Sequence, residues 1–232
     1  MFVERVTAEL DAAHSEEKKE VLPRFFKCGP GEYGEGDRFL GVVVPDVRAV
    51  AKKNTFASLD DLTLLLESQW HEARLCALLI LLAQCRKSVS KEAFRFYLAH
   101  TDRINNWDLV DLSAPGIVGR YILDNPQERE VIYSLADSQS LWEQRIAVVS
   151  TLALIREGQF DDTYALAIKL MSHPHDLMHK AVGWMLREAG KRDQRRLELF
   201  LDEYSPSMPR TALRYSIEKF PEPLRQHYLR MK

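Results

Sequence analysis

The sequence predicts an all-α fold: an α-solenoid of two-helix repeats, a single domain over residues 1–232, with residues 1–54 as an N-terminal helical cap and residues 55–232 as the repeats. Three observations predict it. Apolar residues recur three and four apart through nearly the whole chain, which is the spacing of one helix face. Turn signals divide the chain into helix pairs whose second members start near Trp70, Asn105, Ser140, His175 and Pro209, about 35 residues apart. Period-2 alternation is missing at any useful length, since the three valines at 42–44 are too few to build a sheet. A repeat of this length and content is HEAT-like, and such an array lines a concave face with the second helix of each pair.

Each element has a local reason. Phe2, Val6 and Leu10 share one face of a helix over residues 2–13, and Ser15 is placed to cap a second helix reaching residue 26. Residues 28–44 are the exception, because Gly29, Pro30, Gly31, Gly34, Gly36 and Gly41 cannot all sit in a regular helix. Pro45 suits the first turn of a helix to residue 53. Ser58 with Asp61 three positions on has the form of a capping box. Helices follow over 70–86, over 90–100 behind Ser90, and over 105–123, the last interrupted or kinked at Pro115. Asn125-Pro126 starts a short helix to residue 136, and Ser140 opens a long one stopped at Gly158. The remaining helices are expected over 161–172, 175–189, 193–204, 209–220 and from Pro221 onward.

Composition narrows the class. With 46% hydrophobic residues the chain can bury a substantial core. Cys28, Cys76 and Cys85 are odd in number and lack the CxxC spacing of a metal or redox site, which fits reduced thiols in a cytoplasmic protein. No basic segment followed by an apolar one opens the chain, so no secretory leader is expected, and the longest apolar run, residues 75–83, is about half a membrane span. The net charge is only −2, yet residues 180–232 hold 12 Lys/Arg against 7 Asp/Glu, enough for one basic surface on a neutral protein. Neither GxxxxGK[ST] nor GxGxxG precedes a helix, so no nucleotide cofactor is expected. His175 and His179 are four apart but lack an evident third ligand, so residues 173–179 read as a loop and helix start, and no metal is expected.

The chemistry concentrates at Asn105-Asn-Trp-Asp-Leu-Val-Asp-Leu-Ser-Ala-Pro115. In a helix Trp107 and Asp111 lie one turn apart on one face, setting a flat aromatic surface beside a carboxylate, which suits a cationic partner. Asp108 points about 100° away around the axis and is the weaker candidate. Leu109, Val110 and Leu112 can anchor the helix in a core. Second helices stacked at about 8–10 Å would bring the inner faces together, so Arg145 and Trp184 are expected to converge on this pair in a groove that suits a duplex. Trp70 and Trp142 are expected to face the core. Arg187 is a candidate phosphate contact, as are Arg38 and Arg48 from the cap.

With these residues in place the chain resembles the AlkD-like family of DNA alkylation repair glycosylases. The pieces that carry the resemblance are Trp107-Asp-Leu-Val-Asp111 with Pro115, Trp142-Glu-Gln-Arg145, and Lys180-Ala-Val-Gly-Trp184-Met-Leu-Arg-Glu188. The Gly-rich Gly31-Glu-Tyr-Gly-Glu-Gly-Asp-Arg-Phe-Leu-Gly-Val42, with Pro45, Asp46 and Arg48 after it, adds a fourth piece. The resemblance implies excision of cationic alkylated bases, such as N3-methyladenine and N7-methylguanine, from double-stranded DNA. It implies Asp111 as the catalytic carboxylate, Trp107 and Trp184 as aromatic walls, and Arg145 as a contact to the DNA backbone; Lys180, like Arg187, is a further DNA-binding candidate. No cofactor is implied, and a monomer is expected.

The chemistry agrees. A base alkylated on a ring nitrogen is already cationic and leaves as a neutral molecule, so positive charge develops on the sugar, as in glycoside hydrolysis. One carboxylate can stabilise that charge and orient water. Two other readings have different signatures: a non-catalytic HEAT-like protein that binds damaged, bent or branched DNA by shape, and a protein-interaction scaffold.

Overall fold

The computed structural model describes residues 1–231, and among them the chain is all-helical and consistent with an α-solenoid. It divides into two compact units, one from Met1 to Ile117 and the other from Val118 onward. The first contains α1 (Phe2–Asp11), α2 (Glu16–Phe25), α3 (Val44–Lys53), α4 (Leu59–Leu66), α5 (His71–Gln84), α6 (Lys91–Ala99) and α7 (Trp107–Ser113). The second contains α8 (Arg120–Asp124), α9 (Glu130–Ala136), α10 (Leu141–Arg156), α11 (Asp161–Lys169), α12 (Asp176–Gly190), α13 (Gln194–Tyr204), α14 (Arg210–Ser216) and α15 (Glu222–Arg230). Residues 115–119, from Pro115, form a π-helical turn, an interruption of the regular helix at the residue that has no N–H to donate.

The second helices of the pairs start at His71, Trp107, Leu141, Asp176 and Arg210, which keeps the period of about 35 residues. The caps expected from the sequence form. Ser58 Oγ accepts from Asp61 N at 3.1 Å while the Asp61 carboxylate accepts from Ser58 N at 3.1 Å. Ser90 Oγ takes the Ala93 N–H at 3.1 Å; a further cap, not among those expected, also forms, the Asp193 carboxylate taking the Arg196 N–H at 2.9 Å. Each such cap contributes about 1 kcal/mol by satisfying an otherwise orphaned donor.

In the first unit α5 is the centre. Every residue from His71 to Leu81 is buried, and the helix packs against α3, α4 and α7. In the second unit α10 has the same role, buried from Arg145 to Ile155 and packed on α9, α11 and α12. Trp70 and Trp142 differ from expectation: both are only partly buried. Trp70 is the N-cap of α5 and Trp142 lies in the first turn of α10, so both precede the stretch that the neighbouring helices enclose.

The Gly-rich residues between α2 and α3 remain non-helical, and the one strand-like pairing among the described residues is a single bridge between Arg38 and Trp70. Gly41 is required there. Its φ is +95°, and a Cβ would come within 2.5 Å of the Ser15 carbonyl oxygen, which the turn approaches closely.

Candidate active site

Helix α7 presents Trp107 and Asp111 because both of its ends are fixed. Leu109 and Val110 are fully buried and anchor its inner face, each contributing about 1.5–3 kcal/mol of burial. At the start, Asn106 Oδ1 accepts the Trp107 N–H at 2.9 Å. At the end, Ser113 Oγ donates to Leu109 O, so the buried Tyr97 hydroxyl of α6, 2.9 Å away, donates to Ser113 Oγ.

Trp107 and Asp111, both partly buried, line one cavity of about 400 Å³ in the first unit. Its walls come from α2 (Leu22, Phe25), Phe26 just beyond it, the Gly-rich segment (Phe39, Val42, Val43), α5 (His71, Glu72, Leu75) and α7 (Asp108, Leu112). The aromatic surface is extended further than the sequence suggests. Phe26 stacks on Trp107 at 5.3 Å and 20°, and Phe25 meets Trp107 edge-on at 5.7 Å. Phe39 stacks in turn on Phe26 at 5.0 Å and on His71 at 4.6 Å.

Behind this wall lies a charged network. His71 Nε2 is 2.8 Å from Asp108 Oδ2, and His71 Nδ1 is 3.1 Å from Asp37 Oδ2. With both carboxyls ionised, each accepts from the ring, an arrangement that calls for a donor on both nitrogens, the imidazolium form. Burial alone would lower the pKa of this ring, but Asp108 and Asp37 outweigh it and hold it up at about 9. Burial would likewise raise Asp37, yet the His71 hydrogen bond and the Arg74 guanidinium hold its carboxyl below the usual range. Arg74 donates to Asp37 at 2.5 Å and to the Ser68 carbonyl at 3.0 Å, and Asn105 Nδ2 joins Asp37 at 3.3 Å. One turn of α5 thus ties the Gly-rich segment to α7. Asp108, the weaker candidate by helix geometry, is the residue this network holds.

Glu72 completes the scaffold. Its buried carboxylate accepts the backbone N–H groups of Leu40 at 2.9 Å, Gly41 at 2.9 Å and Val42 at 3.1 Å, a turn with no internal partners for them. Sequence reasoning missed His71, Glu72 and Arg74. The signal was available: three ionisable residues open a helix that is otherwise apolar, and buried charges require partners.

The other candidates are distributed as follows. Arg38 is exposed and donates to Gln69 Oε1 at 2.8 Å, and Arg48 is exposed on α3 beside a separate depression lined by Lys52 and Arg86. In the second unit Arg145 is only 5% exposed, with Nη1 donating to the Leu177 carbonyl at 2.6 Å. Trp184 is partly buried on α12. On the same helix Lys180 pairs with Asp176 at 2.9 Å, and Arg187 pairs with Glu218 and, at 3.6 Å, with Glu188. His175 caps α12, accepting the Leu177 N–H at 3.1 Å.

An indole and a carboxylate on the wall of an aromatic cavity offer the chemistry that a flat or cationic organic group would need. The chain belongs to the DNA alkylation repair enzyme family, whose sequence model matches residues 6–220. Among solved structures it is similar to a predicted DNA alkylation repair enzyme from Enterococcus faecalis, with a TM-score of 0.74 and 18% identity over 90% of this chain and 97% of that one. At that identity the likeness establishes the fold. No curated protein matches the chain. Among the described residues no helix is long and apolar enough to cross a membrane.

Proposed function

We propose that the protein is a monofunctional DNA glycosylase that hydrolyses the N-glycosidic bond of cationic N3- or N7-alkylated purines in double-stranded DNA. The observation that carries this reading is the placement of Trp107 and Asp111 one turn apart on the same aromatic cavity wall. The bond from C1′ to the base nitrogen breaks with its electron pair passing to the base, which departs neutral, so no general acid is needed. Asp111 stabilises the positive charge that develops on the sugar and orients the water that adds to C1′, whose proton passes to the carboxylate or to solvent. Trp107 faces the cationic base or the sugar C–H groups, a contact of roughly 0.5–2 kcal/mol when desolvated. Trp184, partly buried on α12, is the second unit's aromatic contact to DNA. Lys180, Arg187, Arg38 and Arg48 contact the DNA backbone, which positions the duplex without reading its sequence. Arg145 acts with them, its guanidinium oriented by the Leu177 carbonyl. The protein works as a cytoplasmic monomer and takes no cofactor.

The test is release of free methylated purine from methylated duplex by wild type and Asp111→Asn in parallel. Wild type is expected to release base, and the variant to fold, bind DNA and release base about 10²–10³-fold more slowly. Equal release by both would remove Asp111 from the mechanism. Salt-dependent binding without release from either would replace the glycosylase reading by recognition of damaged duplex through shape, and no binding at all would leave a scaffold.

A further inference from the structure

We propose that His71, a buried imidazolium clamped between Asp37 and Asp108, is a positioning residue that decides which carboxylate of α7 serves the cavity. This role in catalysis rests on the glycosylase reading; the clamp itself does not. Two carboxylates three residues apart, Asp108 and Asp111, line the same cavity. Only one has the geometry to face a substrate beside Trp107, and the other must be held away and neutralised, because a second anion would compete for any bound cation.

His71 does both. Its Nε2–H, 2.8 Å from Asp108 Oδ2, neutralises that carboxylate, which is 5% exposed and whose other oxygen has no hydrogen-bond partner in the buried interior. Its Nδ1–H reaches Asp37 of the Gly-rich segment, so the first turn of α7 is tied through His71 to that segment. Its ring lies against Phe39 at 4.6 Å and Phe26 at 4.9 Å, and Phe26 in turn stacks on Trp107. The charge on one imidazole therefore orients both residues of the pair: Trp107 through Phe26, and Asp111 through Asp108 and the helix. A neutral ring donates from one nitrogen only, so either Asp108 loses its His71 donor in the buried interior or Asp37 is left with Arg74 and Asn105 alone.

The titratable groups around His71 are Asp37 with Arg74 behind it, Asp108 from α7, Glu72 from its own helix with its oxygens committed to backbone N–H groups, and Asp111, which lines the same cavity. Only the imidazolium sits between two carboxylates, so its deprotonation is the event that releases α7. The ring holds its proton to about pH 9, and base release is expected to fall above that.

Two measurements on the intact protein test this. The imidazole ¹⁵N spectrum near neutral pH, assigned with His71→Gln, should show both His71 nitrogens protonated, and a neutral ring overturns the proposal whatever the activity. In His71→Gln, single-turnover base release should drop by about a hundredfold with DNA affinity nearly unchanged, and the loss at high pH should disappear. The Trp107 indole signal should move, and α7 amides should exchange faster in the free protein. A variant with wild-type rate, wild-type pH profile and an unmoved indole sinks the idea. If wild type releases no base, the glycosylase reading fails, and the indole and amide signals alone decide whether His71 positions the pair.

Discussion

Substituting Glu72 by Gln changes one atom of the side chain, yet the structure predicts a large local effect. The carboxylate accepts three backbone N–H groups: Oε1 takes those of Gly41 and Val42, and Oε2 takes that of Leu40. A glutamine can keep its amide oxygen at the Oε1 place, but its NH2 then faces the Leu40 N–H, donor against donor, in a site where Glu72 is 2% exposed. The orphaned donor costs about 1–3 kcal/mol, and the two surviving bonds lose their charge assistance, roughly 1 kcal/mol each. Relief from burying a charge offsets part of this, leaving about 3 kcal/mol. The assay is native-state amide exchange of Leu40, Gly41 and Val42. Because about 1.4 kcal/mol is tenfold in opening, these three amides should exchange about a hundredfold faster, while the amides of α10 and α12 should not change. Unchanged exchange at Leu40 would refute the account of this carboxylate as the organiser of the turn. A uniform increase through both units would refute its being local.

Two further outcomes follow from the first unit. The His71 ring is held at about 9, above its ordinary 6.5, so its contribution to folding is complete below about pH 6.5, shrinks as pH rises, and is gone above about 9. Thermal unfolding of wild type should therefore lose stability from neutral to alkaline pH, by roughly 3 kcal/mol at most, and His71→Gln should lose less over that interval. Gly41→Ala should cost on the order of 2 kcal/mol, because its φ is +95° and the new methyl meets the Ser15 carbonyl. Gly31→Ala, at φ +75° but with no atom within 4 Å of the added carbon, should cost about half as much in urea unfolding. Equal costs would show that the close approach of the turn to Ser15 does not matter.

Local physics made much of the architecture readable in one dimension. Helical spacing of apolar residues, Ser at N-caps, and glycines that break helices act over a few residues, so Ser58 with Asp61, Ser90 and Ser140 could be placed without tertiary knowledge. The same reasoning put Trp107 and Asp111 on one face and Leu109 and Val110 on the buried one, since helical geometry alone relates residues four apart. It failed at Trp70 and Trp142, because burial at a helix end depends on how far the neighbouring helices extend.

Tertiary structure alone decided what surrounds the pair. Asp37, His71 and Asp108 are 34 and 37 residues apart along the chain, and nothing local relates them. Their charges are tolerable in the interior only because each meets its partner there, a condition set by packing of the Gly-rich segment, α5 and α7. Phe26 on Trp107 is likewise a meeting of distant segments. Residue types and their helical phase determined the fold class and the candidate pair. Which charges are buried, which aromatic faces are covered and where the cavity lies depend on contacts between segments far apart in the chain, and those follow only from the folded chain.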